Sequence, residues 1–235
     1  MTADTFVEAL QPHVSEKEKE KLRRFYKGDD PNTKALGVKF GTVFKIAKEF
    51  AELPLEHVEQ LMESDFYEVR MGAMAILDYK ARSKRITDAQ RKELYDLYMR
   101  RHDRIDNWDL VDRAAPHVVG GYLYDKSRDP LYTLALSESQ WKRRTALYST
   151  LFFLKRGDTK ETMRLAAELV NDPEELVNKA VGTMLREVGK TDESLLTAFL
   201  DRTAATMPRT TLRYATEKLA PAQKRRYLDA GSSKS

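Results

Sequence analysis

Apolar residues recur along most of this chain at intervals of three and four, the spacing that places side chains on one face of an α-helix. Residues 38–50 show this pattern, with apolar side chains at Val38, Val43, Phe44, Ile46, Ala47 and Phe50. Residues 65–80 repeat it with Val69, Ala73, Ile76 and Leu77. Each segment therefore predicts an amphipathic helix that buries one stripe of its surface.

Short stretches containing Asp, Gly or Pro separate the periodic segments. The predicted helices span residues 5–10, 16–26, 38–50, 55–62, 65–80, 88–101, 106–122, 130–136, 138–154, 159–170, 173–188, 193–200 and 208–219. Ser15 and Glu18 have the spacing of a capping box, and Pro116 predicts a break or kink inside its helix. Because no strand pattern or long linker interrupts the series, we expect one continuous domain over residues 1–229 and a disordered tail at 230–235.

Composition supports an all-α fold and narrows the chemistry. The chain has 235 residues, of which 33% are charged and only 10 are Gly and 8 are Pro, and Leu, Ala, Glu, Lys and Arg dominate. The absence of cysteine excludes disulfides, thiolate zinc sites and a cysteine nucleophile. No apolar run approaches the roughly 18 residues of a membrane span, and the N-terminal residues do not resemble a signal peptide. We expect a cytoplasmic protein with access to the chromosome and no membrane partner.

The sequence lacks the signatures of several common types of active site. The four histidines, at 13, 57, 102 and 117, do not show the H-E-x-x-H spacing of zinc hydrolases. Neither the G-x-x-x-x-G-K-[ST] loop nor the G-x-G-x-x-G loop occurs, so the usual phosphate-cradling loops are missing. We therefore expect neither a metal ion nor a cofactor, and we expect a monomer.

Basic residues are clustered rather than numerous. The net charge is only +4, which by itself is weak support for a polyanionic partner. The bases gather in short groups at residues 21–27, 80–85, 100–104, 142–144 and 224–226. Such groups are usually solvated helix ends. They support a polyanionic partner only if the fold brings them together on one surface.

An internal repeat in the sequence suggests that the fold brings several of these bases together. Three segments align by their turn and first helical turn, beginning at Ser64, Ser137 and Asn171, and they place a base early in each helix at Arg70, Arg144 and Lys179. The intervals between these bases are 74 and 35 residues, and half of 74 added to Arg70 lands on Asn107. This spacing is similar to that of HEAT repeats, which are about 40 residues long.

Stacked HEAT-like repeats would bring equivalent helices to one surface of a curved α-solenoid. We therefore expect a basic concave groove that contains Arg70, Arg144 and Lys179. An alternative is that the base at this repeat position pairs with an acid of the adjacent repeat, in which case the bases are structural.

The segment Ile105–Asp112, with the sequence I-D-N-W-D-L-V-D, contains the most informative candidate pair. Trp108 and Asp112 are four residues apart, so on a helix they are neighbours with Cβ atoms about 5–6 Å apart. An aromatic ring beside a carboxylate can hold a flat or cationic group. The alternative is that Trp108 is core packing and that Asp109 or Asp112 caps the helix or pairs with an arginine. We expect Asp109 to lie off the face of this pair and to have a supporting or capping role.

Three motifs together resemble the AlkD-type DNA alkylation repair glycosylases, which are built from HEAT-like repeats. They are N-W-D-L-V-D at residues 107–112, W-K-R-R-T-A at residues 141–146 and K-A-V-G-x-x-L-R-E at residues 179–187, and weaker matching extends from residue 6 to about 219. The resemblance implies removal of cationic N3- or N7-alkylated purines from double-stranded DNA without turning the base into a deep pocket. It implies catalytic roles for Trp108 and Asp112 and contact of Arg144 with the DNA backbone, and we add Arg143, Lys179 and Arg70 as expected DNA contacts.

This chain departs from the family pattern at one position. The family has a second active-site tryptophan in its K-A-x-G-W-x-L-R-E motif, where this chain has Thr183. Threonine offers no aromatic face, so half of the expected aromatic clamp is missing. The departure bears on substrate range and catalytic rate and not on DNA binding. Trp141 matches a different family position, and we expect it in the core.

The chemistry of a cationic leaving group fits a site with one carboxylate. Glycoside hydrolysis ordinarily uses two carboxyl groups, one of which protonates the leaving group. An alkylated purine that is already cationic departs without protonation, so Asp112 alone would suffice to stabilise the cationic sugar or orient water. Our leading hypothesis is a DNA glycosylase for alkylated purines. The alternatives are a relative that binds bent or branched DNA without excision and a HEAT-repeat scaffold for protein interactions.

Overall fold

Helices form nearly all the regular structure of the computed structural model, which describes residues 1–28 and 30–230. The main helices are α1 (Ala3–Leu10), α2 (Glu16–Phe25), α3 (Phe40–Glu49), α4 (Leu55–Met62), α5 (Tyr67–Ala81), α6 (Asp88–Arg100), α7 (Trp108–Ala115), α8 (Gly121–Leu123), α9 (Asp129–Ala135), α10 (Gln140–Ser149), α11 (Leu151–Leu154), α12 (Lys160–Leu169), α13 (Glu175–Thr191), α14 (Glu193–Thr203), α15 (Arg209–Ala215) and α16 (Pro221–Ala230). Within these described ranges, the β-structure is limited to an isolated bridge between Lys34 and Phe66. The predicted all-α fold class is confirmed.

The chain forms two compact units, Met1–Tyr122 and Leu123–Ser235. The proposal of a single domain over residues 1–229 stays a prediction. The predicted tail lies outside the described residues except for Ala230, which ends α16. No helix in the described part of the chain is both long and apolar enough to cross a membrane.

Helix α5 is the centre of the first unit. It packs against α3, α4 and α7, and its residues are buried on every side rather than along one stripe, as expected for a helix enclosed by others. Gly72 permits this enclosure, because a Cβ atom there would lie 2.3 Å from the ring of Phe6 in α1.

Helix α13 has the same role in the second unit. It packs against α10, α12, α14 and α15, and its contact with α15 is especially close. A Cβ atom at Gly182 would lie 2.6 Å from the carbonyl oxygen of Thr211 and 2.6 Å from Cβ of Tyr214. The glycine of the K-A-V-G motif therefore lets two helix backbones approach each other.

Several helix ends test the local predictions. The break predicted at Pro116 is confirmed, because α7 ends there and residues 116–120 form a π-helical turn. The prediction of a capping box at the start of α2 was wrong. The Ser15 side chain makes no capping hydrogen bond, and Glu18 accepts a hydrogen bond from Lys21 at 2.8 Å instead. Helix α16 was not predicted, because Pro221 was expected to follow the end of a helix and instead begins one. Tyr227 is the only buried residue of this helix, so its sequence shows little apolar periodicity.

Candidate functional site

Helix α7 carries Trp108 and Asp112 on one face of its first two turns. Both side chains are partly exposed, whereas the intervening Asp109, Leu110 and Val111 are buried. The helix thus turns its apolar side inward and leaves the tryptophan and one of its two aspartates accessible. Trp141 is only 5% exposed, so its expected place in the core is confirmed.

A buried polar cluster attaches the start of α7 to the central helix α5. The hydroxyl of Tyr67 donates a hydrogen bond to Oδ1 of Asp109, and Nδ2 of Asn107 donates to the same oxygen at 3.1 Å and to the Tyr67 hydroxyl at 2.9 Å. The backbone N–H of Leu110 donates to that Oδ1 at 3.1 Å. Because these bonds join α5 to the residues on either side of Trp108, they fix the position of the Trp108–Asp112 pair.

Burial raises the pKa of Asp109 to about 6, against the opposing effect of the hydrogen bond from Tyr67, and the charge of Asp112 raises it further. Its Oδ2 atom is buried without a hydrogen-bond partner. Burial also holds the pKa of Tyr67 well above its ordinary value, so the phenol remains a donor. Asp109 thus lies off the face of the Trp108–Asp112 pair and supports the start of α7 from inside. Asp112 is partly accessible to solvent.

Replacing Asp109 by asparagine should remove a pH dependence from stability. An acid whose pKa is about 6 when folded but near 3.9 when unfolded binds more protons in the folded state, so the free energy of unfolding falls as pH rises from about 4 to about 6. At pH 8 the Asp109→Asn variant should therefore be more stable than the wild type by about 1–3 kcal/mol, because its amide oxygen can still accept the three hydrogen bonds.

Urea unfolding at pH 4.5 and pH 8 measures this effect. Asp103→Asn is the matched control, since the Asp103 side chain is 61% exposed. Equal pH dependence in the wild type and the Asp109→Asn variant would contradict the assignment.

Trp108 belongs to a row of aromatic rings that the sequence analysis did not identify. The ring of Phe25, at the end of α2, lies 5.1 Å from the Trp108 ring between centroids, with an angle of 60° between the planes. Phe40, at the start of α3, lies 6.1 Å from Phe25 and 6.0 Å from Tyr67. The run R-R-F-Y-K at residues 23–27 contains a signal that could have led to Phe25, because aromatic residues flanked by bases suit a nucleic-acid surface.

Arg70 is buried in the first unit and is held by partners from three other segments. It is 1% exposed, and its Nη2 atom donates to Asp106 at 3.1 Å and to Thr33 at 2.8 Å. Its Nη1 atom donates to the carbonyl oxygen of Ser64 at 2.9 Å. This enclosure favours the alternative in which the base at this repeat position pairs with an acid of the adjacent repeat, and the DNA contact expected of Arg70 stays a prediction.

Arg143 shows the same arrangement in the second unit. Its Nη1 atom donates to the carbonyl oxygen six residues earlier, at Ser137, over 2.8 Å, and two of its nitrogens bind Asp172 at 2.6 and 3.0 Å. Asn178 again donates to the carbonyl oxygen six residues earlier, at Asp172, over 3.0 Å. The structurally equivalent positions of the repeat are therefore Arg70, Arg143 and Asn178.

Arg144 and Lys179 occupy the positions that follow in α10 and α13. Arg144 is 4% exposed, donates to the carbonyl oxygen of Leu176 at 2.5 Å, and stacks over the Tyr148 ring at 4.6 Å. The Lys179 side chain is 29% exposed and pairs with Glu175 at 3.0 Å. Thr183 is partly exposed one turn after Lys179 on the same helix face.

The structure thus groups the predicted residues within each unit. The first unit brings together Trp108 and Asp112, and the second places Arg143, Arg144, Lys179 and Thr183 on the two packed helices α10 and α13. Among the described residues, no group of three or more His, Asp or Glu side chains is arranged to hold a metal ion.

The family model described as "DNA alkylation repair enzyme" matches residues 6–219. This chain belongs to that DNA alkylation repair enzyme family. No curated protein matches the chain.

Two solved structures are similar to this chain in fold. A predicted DNA alkylation repair enzyme from Enterococcus faecalis has a TM-score of 0.67 and 16% sequence identity, with 89% of this chain and 98% of that chain covered. AlkD2 from Streptococcus mutans has a TM-score of 0.54 and 20% identity, with 92% of this chain and 99% of that chain covered. At these identities the similarity supports the fold and carries no residue roles.

Proposed function

We propose that this protein is a DNA glycosylase that hydrolyses the N-glycosidic bond of cationic N3- or N7-alkylated purines in double-stranded DNA. The observation that carries the proposal is the partly exposed Trp108–Asp112 pair on α7, in a chain whose family is that of DNA alkylation repair enzymes. Asp109 is buried and engaged with Tyr67, so Asp112 is the carboxylate of this helix that a substrate can reach.

The reaction would depend on the positive charge of the alkylated base. When the C1′–N bond breaks, its electron pair moves to the purine ring and neutralises that charge, so the base leaves without a proton donor. The sugar becomes an oxocarbenium-like cation, which the carboxylate of Asp112 stabilises and the face of the Trp108 ring supports. Water then adds to C1′ and loses its proton, giving an abasic site.

Base release from defined duplexes tests this activity. Duplex DNA containing 7-methylguanine or 3-methyladenine is incubated with the protein, and both the free base and the protein–DNA complex are measured. Free base at a rate above that of the duplex alone supports the glycosylase. If neither free base nor a protein–DNA complex is detected, the result supports a scaffold for protein interactions instead.

Thr183 supports a second candidate function, which is binding of damaged, bent or branched DNA without excision. The partly exposed threonine occupies the place where the family pattern has an aromatic residue, and a site with one aromatic ring fewer holds a base less firmly. A stable complex without base release in the same experiment would favour this function.

Binding of DNA by the second unit can be tested at Lys179. If Lys179 contacts a phosphate, Lys179→Ala should reduce the slope of log affinity against log salt concentration by about one unit, for damaged and undamaged duplex alike. The fold should tolerate the change, since its partly exposed pair with Glu175 contributes little to stability.

Lys218→Ala is the matched control for Lys179→Ala. Lys218 is an exposed lysine in the same unit that also pairs with a glutamate, Glu217, at 3.2 Å, and it is not among the predicted DNA contacts. An unchanged slope in the Lys179 variant, or an equal change in both variants, would remove Lys179 from the proposed interface.

A further inference from the structure

Arg144 is enclosed by the second unit rather than presented at its surface. The residue is 4% exposed, and its Nη1 atom donates to the carbonyl oxygen of Leu176 at 2.5 Å, which joins α10 to the first turn of α13. The resemblance implies contact of Arg144 with the DNA backbone, and a guanidinium needs access to a phosphate oxygen to bind it directly. The accessible group at this point of α10 is therefore another side chain.

Tyr148 is the accessible partner of Arg144. It lies four residues later on the same face of α10, and it is partly exposed between two buried residues, Leu147 and Ser149. The Nη2 atom of Arg144 donates to the Tyr148 hydroxyl at 3.2 Å, and the guanidinium carbon lies 4.6 Å from the centre of the ring. The buried arginine thus fixes the position of a side chain that a ligand can reach.

The sequence repeat gives Tyr148 a position equivalent to residues already considered as site residues. Asp112, Tyr148 and Thr183 follow one another at intervals of 36 and 35 residues, and each lies four residues after the tryptophan or base of its own repeat. All three residues are partly exposed. Because α10 packs directly against α13, Tyr148 is the counterpart on α10 of Thr183 on the neighbouring helix.

The hydroxyl of Tyr148 is suited to binding a phosphate. A hydroxyl oxygen that accepts a hydrogen bond can donate its own hydrogen at the same time. Accepting from a cationic guanidinium polarises the O–H bond and strengthens it as a donor. Tyrosine hydroxyls are among the groups that bind DNA phosphates and fix the register of a protein on the duplex.

We infer that Tyr148 makes the DNA-backbone contact of α10, with its hydroxyl donating to a phosphate oxygen. Arg144 is then a positioning residue, which holds the ring and polarises the hydroxyl. The inference rests on the part of the proposed function that concerns binding of double-stranded DNA. It applies to damaged and undamaged duplex alike, because both carry the same phosphates, and it assigns Tyr148 no contact with the alkylated base.

Tyr148→Phe tests this contact, because it removes the hydroxyl and retains the ring that stacks with Arg144. Duplex affinity should fall by about 10- to 100-fold, the range for loss of a hydrogen bond to a charged group. The slope of log affinity against log salt concentration should be unchanged, since a neutral hydroxyl displaces no counterion. This result would differ from that expected for Lys179→Ala, in which the slope falls.

Tyr124→Phe is the matched control. Tyr124 is 37% exposed in the same unit, and its ring also lies near an arginine, Arg156, at 5.4 Å, but it has no place in the proposed interface. Its removal of a hydroxyl should leave the duplex affinity of the wild type. Affinity for a 7-methylguanine duplex and for its undamaged counterpart is measured from about 50 to 200 mM salt, with thermal unfolding of each variant in parallel.

A double-mutant cycle tests the positioning role of Arg144. Arg144→Met removes the guanidinium while keeping much of the apolar volume, and its duplex affinity should fall by an amount similar to that for Tyr148→Phe. Adding Tyr148→Phe to Arg144→Met should then reduce affinity by less than about twofold, because the arginine acts through the hydroxyl. Additive losses of affinity would overturn the positioning role. If Arg144→Met does not fold, Tyr148→Phe alone decides the inference.

The outcomes for the wild type and for Tyr148→Phe separate this inference from the proposed function. A folded Tyr148→Phe variant with wild-type affinity, or with a loss confined to damaged duplex, overturns the inference, whereas base release by the wild type keeps the glycosylase. A wild type that binds duplex without releasing base overturns the glycosylase, and the affinity of Tyr148→Phe still decides the inference. A wild type that binds no duplex overturns both.

Discussion

Replacing Asp112 by asparagine should slow single-turnover base excision by about 10²–10³-fold, or roughly 3–4 kcal/mol in activation free energy. The two side chains have nearly the same shape, so the variant loses negative charge while the packing of α7 is retained. Because the transition state is cationic and the substrate is held largely through its phosphates, losing this negative charge should lower the excision rate rather than the DNA affinity. DNA affinity should be unchanged or tighter, since one anion near the phosphates is removed.

The measurement is single-turnover release of 7-methylguanine, with duplex affinity determined in parallel. Asp103→Asn is the control, because it removes one exposed carboxylate from the same unit without touching α7. A folded Asp112→Asn variant that excises at the wild-type rate would show that Asp112 is structural and that the mechanism proposed here is wrong.

Replacing Arg70 by methionine should destabilise the protein by about 3–5 kcal/mol, because it leaves Asp106 without its buried cationic partner. Methionine preserves much of the apolar volume, so the loss reports mainly on the charge and its hydrogen bonds. The Asp106 side chain is only 13% exposed, so water cannot fully replace the guanidinium. The hydroxyl of Tyr26 would remain as a donor to the carboxylate but carries no charge.

Urea unfolding measures this loss, and two further variants define its origin. Lys92→Ala breaks an exposed pair with Asp96 and should cost less than about 1 kcal/mol. Adding Asp106→Asn to Arg70→Met should recover part of the stability, because the unpaired charge is then absent. A cost for Arg70→Met as small as that for Lys92→Ala would contradict the structural role of Arg70.

The Arg70 variant also separates the two hypotheses about the aligned bases. If Arg70 only joins neighbouring segments, the folded Arg70→Met protein should bind duplex DNA with the salt dependence of the wild type. If it contacts a phosphate, the slope should fall by about one unit, as expected for Lys179. The burial of Arg70 and its bonds to Asp106, Thr33 and Ser64 favour the first result.

Local sequence determined most helices of this protein. Helix α4 was predicted with its observed bounds at residues 55–62, and α6 was predicted within one residue of its end. The proline at 116 marked the end of α7 correctly. These features depend on side-chain periodicity and on backbone restrictions that act over a few residues, which is why the sequence alone is sufficient for them.

Tertiary structure decided which residues of similar type are accessible. Asp109 and Asp112 differ in burial: Asp109 is buried and accepts a hydrogen bond from Tyr67, which lies 42 residues earlier in the chain, whereas Asp112 is partly exposed. Trp108 contacts Phe25 across a still longer separation. Arg70 and Lys179 aligned as equivalent bases, yet one is enclosed by its neighbours and the other is partly exposed. Helical periodicity specifies which face of a helix is buried but not which distant side chain will contact it, so burial and partnership at the site depend on the assembled helices.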